Sequence, residues 1–248
     1  AEKKYHCAIL VPEESPLPVI YREKFYEFFT YNDLHQGINT LDREHYQLVL
    51  ILSDTAISLS PLFLEKIYNA YDAGIQAIQL HTVIENRKGF CNRFRAICKE
   101  IKNSLFRAGN TQFGLSSNLS GTNIAIDLEW LQNNLRSSKT NIERKLFRKN
   151  VYIDYLPDAI VYCQSSPVHP YRRRLRKTAS YFFPSLLEGN WNFCNRIVQH
   201  LIPSPLKMCI FVSVWTLLIT GYNWALSIGW WLILFLSLIH ISEPTRLD

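Results

Sequence analysis

Between Tyr46 and Ile84 the chain carries an apolar run (YQLVLIL), an acid (Asp54), an amphipathic stretch (FLEKIYNAYDAG) and a second apolar run (IQAIQLHTVI). The first run is aliphatic and too short for an independent helix, so it reads as a central parallel strand. Ser60 and Pro61 stand where an N-cap and a first-turn residue belong, and Phe63, Leu64, Ile67, Tyr68 and Tyr71 recur at helical spacing up to Gly74. Strand, helix and strand in that order is the pattern of a doubly wound α/β domain, in which ligands bind at the carboxyl ends of the parallel strands. Asp54 stands at such an end.

The same reading extends outward. Cys7 to Val11 is a short apolar strand closed by Pro12 and the acids Glu13 and Glu14. From Phe94 to Phe106 the spacing of Ile97, Ile101 and Leu105 predicts an amphipathic helix with these three as its apolar face, ending near Gly109. The segment GLSSNLSGTN is a loop of small polar residues, and IAIDLEWLQNNL is expected to return as a helix against the sheet. Val151 to Tyr155 and Ala159 to Tyr162, split by Leu156, Pro157 and Asp158, read as two short strands.

With 248 residues and 48% hydrophobic content, the chain can bury one substantial core and have apolar material left over. The surplus lies after Ile202 to Pro205, in LKMCIFVSVWTLLITGYNWALSIGWWLILFL, which has no charge beyond Lys207. A bilayer span needs about 20 apolar residues. The run before Gly221 is just short of that, GYNW offers an interfacial break, and Trp224 to Phe235 reads as the start of a second span. Residues 202–235 are therefore expected to be transmembrane. Leu236 to Arg246 (LSLIHISEPTR) resembles translated sequencing-adapter DNA, so residues 236–248 are expected to be a non-native tail. An initial Ala and a strand within the first ten positions suggest a fragment missing its true start.

The net charge of +6 gathers most strongly in RRRLRK, Arg172 to Lys177, ahead of the apolar tail. Basic residues there mark the cytoplasmic side and attract anionic headgroups, and no nucleic-acid-binding motif accompanies them. Nucleic acid is not expected as a partner. Six cysteines form no C-x-x-C pair, and none has histidines at zinc-finger spacing, so they read as reduced, mostly buried thiols. His81, inside an apolar strand, reads as a hydrogen-bonded structural residue.

LFLEKIYNAYDAGIQAIQLHTVIENRKG, IKNSLFRAGNTQFGLSSNLSGTNIAI, VYIDYLPDAIVY and LLEGNWNFCNRIVQHLIP, in that order and spacing, resemble consecutive blocks of a membrane-bound family 2 glycosyltransferase of the polysaccharide-synthase-like type. The resemblance implies a GT-A-like α/β domain, a nucleotide-diphospho-sugar transferase fold, over residues 1–201, with a shortened first half and carboxyl-terminal transmembrane helices. It also implies a nucleotide-sugar donor, a glycan acceptor of the cell envelope, Mg²⁺ or Mn²⁺, and a domain on the cytosolic side of the inner membrane.

Departures from the family pattern fall on its chemistry. A divalent cation held by carboxylates offsets the charge of the leaving diphosphate. Asp54 matches the first metal acid, while Ala56 occupies the second position. The catalytic Glu-Asp pair, which would take the acceptor proton, falls on Ser138 and Lys139. Glu143, slightly downstream, is the remaining candidate base, with a solvated helix-face charge as its ordinary role. The Gln-x-x-Arg-Trp signature falls on Tyr171 to Leu175 and leaves Arg174 for the diphosphate. The acceptor loop corresponds to Gly121, Thr122 and Asn123. Asp42, Glu44, Asp127 and Glu129 are the nearby acids, and none is expected within metal-bridging distance of Asp54. Two functions compete: an active membrane-associated glycosyltransferase of polysaccharide biosynthesis, and a catalytically inactive relative serving as partner or scaffold of an active synthase, or surviving as the product of a decaying gene.

Overall fold

The computed structural model describes residues 5–16, 26–60, 62–120, 122–135, 142–164, 180–201, 205–222, 224 and 227–232. Among the described residues, the strands β1 (Cys7–Pro12), β2 (Tyr26–Tyr31), β3 (Leu48–Ile51), β4 (Ala56–Leu59), β5 (Ala77–Ile84), β6 (Ile124–Asp127) and β7 (Ile153–Cys163) form one sheet in the order β2-β1-β3-β6-β5-β7-β4. β1 pairs in parallel with β2 and β3, and β5 with β7. β6 runs antiparallel between β3 and β5, and β4 runs antiparallel on the edge beside β7.

The sheet is thus mixed rather than the doubly wound parallel sheet expected. The difference arises from IAID, which forms a strand and not the start of a helix. All of its aliphatic residues are fully buried, and a short apolar run between two apolar strands gains both ladders by extending. Asp127 then caps α5 (Leu128–Asn134), its carboxylate accepting from Trp130 N at 2.7 Å. The two short strands expected around Leu156 to Asp158 are one strand, β7, interrupted by an irregularity in its pairing with β5.

Both faces of the sheet are covered. On one, Cys7, Ile9 and Val11 of β1 and Leu48 and Leu50 of β3 pack with Phe63, Leu64, Ile67 and Tyr68 of α2 (Phe63–Asp72). On the other, Ala8, Leu10, Val49 and Ile51 meet Ile38 of α1 (Leu34–Asn39), Leu128 and Leu131 of α5, and further helices from the carboxyl-terminal half. Alternate strand residues feeding two cores explain why these strands are apolar throughout.

α2 begins differently from the sequence expectation. Its N-cap is Leu62, at φ 61°, with no side-chain cap. Ser60 instead closes β4, its hydroxyl accepting from Ile160 N at 3.0 Å. Pro61 lies outside the described residues. α3 (Phe90–Asn103) runs past the expected end near Gly109, through a π-helical turn (Ser104–Ala108) into α4 (Gly109–Gln112).

The helices that follow are α6 (Ile142–Arg148), α7 (Phe182–Leu187), α8 (Trp191–Leu201) and α9 (Pro205–Tyr222). Among the described residues, no helix is long and apolar enough to cross a membrane. Residues 236–248 lie outside the described residues.

Candidate functional site

Five strands point the same way, so their carboxyl ends share one edge of the sheet with the amino ends of β4 and β6. Asp54 lies on this edge, in the tight connection between β3 and β4. It is exposed, and its Oδ1 accepts from Ser53 Oγ at 2.9 Å. Two buried groups feel its charge. The Tyr31 phenol is pushed up to about 12, first by burial and then by Asp54, and the Cys163 thiol is also raised, again with burial as the leading cause.

Asn123 ties this edge together. It is completely buried, at φ 56°. Its Oδ1 accepts from Ser53 N at 2.9 Å, and its Nδ2 donates to Thr82 Oγ1 at 3.0 Å and to Cys163 Sγ at 3.6 Å. Its carbonyl accepts from Leu80 N at 3.0 Å. One left-handed residue therefore joins β5, β6, β7 and the end of β3, and its side chain is occupied in doing so. Thr122, the preceding residue of the expected acceptor loop, has a buried hydroxyl with no hydrogen-bond partner. Gly121 lies outside the described residues, as do Arg174, the rest of the basic run, Ser138 and Lys139.

Glu143 is not the solvated helix charge expected. It is buried on α6, where Oε1 accepts from Leu119 N at 3.2 Å and lies 2.5 Å from the Arg196 guanidinium. Burial raises its pKa against the pull of Arg196. A carboxylate clamped in this way secures the loop before Asn123 to α8 and has little freedom to accept an acceptor proton.

The other acids lie at the far end of the sheet. Asp127 pairs with Leu48 at the start of β3, six residues before Asp54, a separation of roughly 20 Å at about 3.3 Å per strand residue. Its second oxygen accepts from the Tyr71 hydroxyl at 2.6 Å. Glu129 follows it in the first turn of α5. Asp42 and Glu44 precede β3, with Asp42 accepting from Glu44 N at 3.0 Å. Ala56 is completely buried and offers no side-chain ligand. Among the described residues no group of three or more His, Cys, Asp or Glu is placed to hold a metal ion. A lone exposed carboxylate does not fit a resident divalent cation, whose hard-oxygen shell takes several ligands.

Sequence reasoning missed a cluster behind this edge. It expected Ile97, Ile101 and Leu105 to face the core, but Leu105 is 61% exposed while Lys99, Asn103 and Arg107 are 9%, 1% and 6% exposed. Arg107 donates to Asn103 Oδ1 at 2.6 Å and to Ser120 Oγ, and Asn103 Nδ2 donates to the Thr82 carbonyl at 3.4 Å. His81 Nδ1 meets the Tyr155 hydroxyl, and its Nε2 lies 3.7 Å from Glu100. Burial first, then Arg107 and Lys99, outweigh the opposing pull of Asp158 and hold the imidazole near 4. Burial first, then Arg107, brings Lys99 down to about 7. The available signal was the four-residue spacing of Lys99, Asn103 and Arg107, which places all three on one helix face.

A sequence model described as glycosyl transferase family group 2 matches residues 48–242. No curated protein matches. Among solved structures, the mannosyltransferase PcManGT from Pyrobaculum calidifontis, in complex with GDP-Man and Mn²⁺, is similar at 14% identity and a TM-score of 0.46 over 96% of this chain and 86% of that one. TarS 1-349 of S. aureus is similar at 9% identity and a TM-score of 0.42 over 88% and 81%. Its complex with UDP-GlcNAc gives 11% identity and a TM-score of 0.42 over 87% and 81%. The family match covers well over half of the chain, from the strand that leads into Asp54 through the apolar carboxyl-terminal segment, and the chain belongs to glycosyl transferase family group 2.

Proposed function

We propose that the chain binds a nucleotide-sugar donor at the carboxyl edge of its sheet and, as a membrane-associated glycosyltransferase, passes the sugar to a glycan of the cell envelope. The observation that carries the reading is the family membership together with the position of Asp54, on a tight connection at the edge where α/β sheets receive ligands. Asp54 meets the donor's phosphate end, directly or through Mg²⁺ or Mn²⁺ that the phosphates help to hold. The loop of Gly121, Thr122 and Asn123 separates the donor's phosphates from the acceptor in this reading, with Asn123 holding the loop rather than touching the sugar. Arg174 meets the diphosphate, and the basic run around it faces the cytosolic surface of the inner membrane.

A second reading is favoured by Ala56 and Glu143. The buried alanine replaces a metal acid and the ion-paired glutamate is the remaining candidate base, which suits a non-catalytic partner of an active synthase.

Calorimetric titration with UDP- and GDP-sugars, with and without Mn²⁺, on the parent and Asp54→Ala tests the donor site. A radiolabelled-sugar transfer assay separates the two readings. Binding weakened in Asp54→Ala, with label transferred, supports the enzyme, and the same binding without transfer supports the partner. No binding of any nucleotide sugar removes the enzyme and leaves the non-catalytic partner.

A further inference from the structure

Lys99 of α3 and Arg107 of the π-helical turn that continues it lie about two turns apart on one helix face, with Asn103 between them, and both are almost wholly buried. Among the described residues neither forms an ion pair: Glu100 is engaged by His81 and Asn103, and Glu143 by Arg196. Two buried cations without a counter-anion oppose each other and have lost their hydration. On this face they displace Ile97 and Ile101, which are only half-buried, and Leu105, which is exposed. A π-helical turn carries Arg107, a distortion frequent at functional sites.

The two cations belong to the edge that holds Asp54. Arg107 reaches Ser120, two residues before Thr122, whose hydroxyl is buried and unpartnered. Gln79 links this loop to β5, its amide donating to the Thr122 carbonyl at 3.4 Å and its carbonyl accepting from Ser120 N at 2.5 Å. The Cys163 sulfur, which accepts from Asn123 Nδ2 at 3.6 Å, feels the charge of both Lys99 and Asp54.

We propose that Lys99 and Arg107, with the Thr122 hydroxyl, form an anion pocket that receives the diphosphate of the nucleotide-sugar donor, bringing the positive charge that the family's carboxylate-held metal would bring. This rests on the donor-binding reading above and adds to its phosphate subsite residues outside the family's metal-acid and Gln-x-x-Arg-Trp positions. A lysine and an arginine on one helix face supply charged donors for phosphate oxygens, and a hydroxyl donor suits a phosphate oxygen. Lys99 faces Arg107, Lys102, Glu100 and Cys163. An anion beside it restores its affinity for a proton, so binding above neutral pH takes one up.

The test is calorimetry with inorganic pyrophosphate and with UDP, in EDTA, on the full chain. Parent, Lys99→Met, Arg107→Met and Lys99→Arg are compared, with thermal melts to establish folding. Methionine fills the space without charge, so Lys99→Met is expected to melt at or above the parent, and Arg107→Met, which leaves Asn103 Oδ1 and Ser120 Oγ without their donor, to melt cooperatively at a somewhat lower temperature. Pyrophosphate and UDP are expected to bind the parent without metal, at least tenfold more weakly to each Met variant, and again to Lys99→Arg. Proton uptake near pH 8, read from buffers of different ionisation enthalpy, is expected in the parent and lost in Lys99→Met. UDP binding that survives both Met variants overturns the pocket and leaves the donor-binding reading intact. Absence of pyrophosphate binding to the parent overturns the pocket as well, and pyrophosphate that no nucleotide sugar displaces overturns its assignment to the donor.

Discussion

Asn123 and Asp54 stand on the same edge of the sheet and answer to opposite constraints. Asn123 has no surface exposure, a positive φ and a side chain bonded to three neighbours. Asn123→Ala leaves Ser53 N without its partner and puts alanine in a left-handed backbone, and is expected to cost about 3 kcal/mol in urea unfolding. Asp54→Ala removes an exposed carboxylate and is expected to stay within about 0.5 kcal/mol. Equal costs would sink the view that Asn123 is the strut and Asp54 the ligand-facing group. His81 gives a pH signature. Its folded pKa lies near 4, below the ordinary 6.5, so between those values the unfolded chain holds a proton that the folded chain refuses. Stability from this group is complete above pH 6.5 and falls as pH drops toward 4, by about 3 kcal/mol at the bottom of the window. Urea midpoints of the parent and His81→Gln at pH 7 and pH 4.5 check this. The variant should lose less on acidification, and parallel losses would refute it.

At the level of elements, the sequence was clearest where hydrophobic spacing and burial agree. β1, β3, α2 and β5 lie where their aliphatic residues placed them because each contributes to one of the two cores. Two elements departed from their pattern. IAID was ambiguous because three apolar residues suit either period, and its neighbours in space, β3 and β5, decided for a strand. α3 has the expected helix but is rotated from the expected face, with Ile97 and Ile101 half-buried and Lys99 and Asn103 turned in, since period alone does not say which face a sheet will take when its own surface offers His81, Thr82 and Tyr155. The polar cluster was hidden for that reason. The cap of α2 was also hidden, because Ser60 found a partner in β7 and left Leu62 to begin the helix at φ 61°. Leu62 is 69% exposed, so its side chain gains little there. Leu62→Asn tolerates the left-handed backbone and brings a side-chain oxygen to the first turn, and is expected to stabilise the protein by about 1 kcal/mol. A lower urea midpoint in that variant would show that the leucine makes contacts worth more than the strain.

For the molecule as a whole, the open question is what faces the apolar carboxyl-terminal segment. On α9, Phe211, Val214, Leu217 and Leu218 are more than half exposed, and Trp224 and Leu232 beyond it are as well. Polar side chains turn the other way: Thr216 and Ser227 are buried, and Trp231 Nε1 donates to Thr220 Oγ1 at 3.2 Å, so residues 227–232 fold back on α9. An apolar exterior around a polar seam reverses the order of a water-facing hairpin and suits contact with lipid. The helix is too short or too polar to cross a bilayer, so the attachment proposed here needs only its apolar surface at the membrane interface. Leu217→Lys with Leu218→Lys places two charges on that surface and leaves the sheet untouched. The double variant is expected to float with anionic lipid vesicles at least tenfold less than the parent while its thermal transition moves by no more than a few degrees. Flotation unchanged by the two lysines would mean that the hairpin does not meet lipid, and that the membrane association proposed for this glycosyltransferase has to come from another part of the chain.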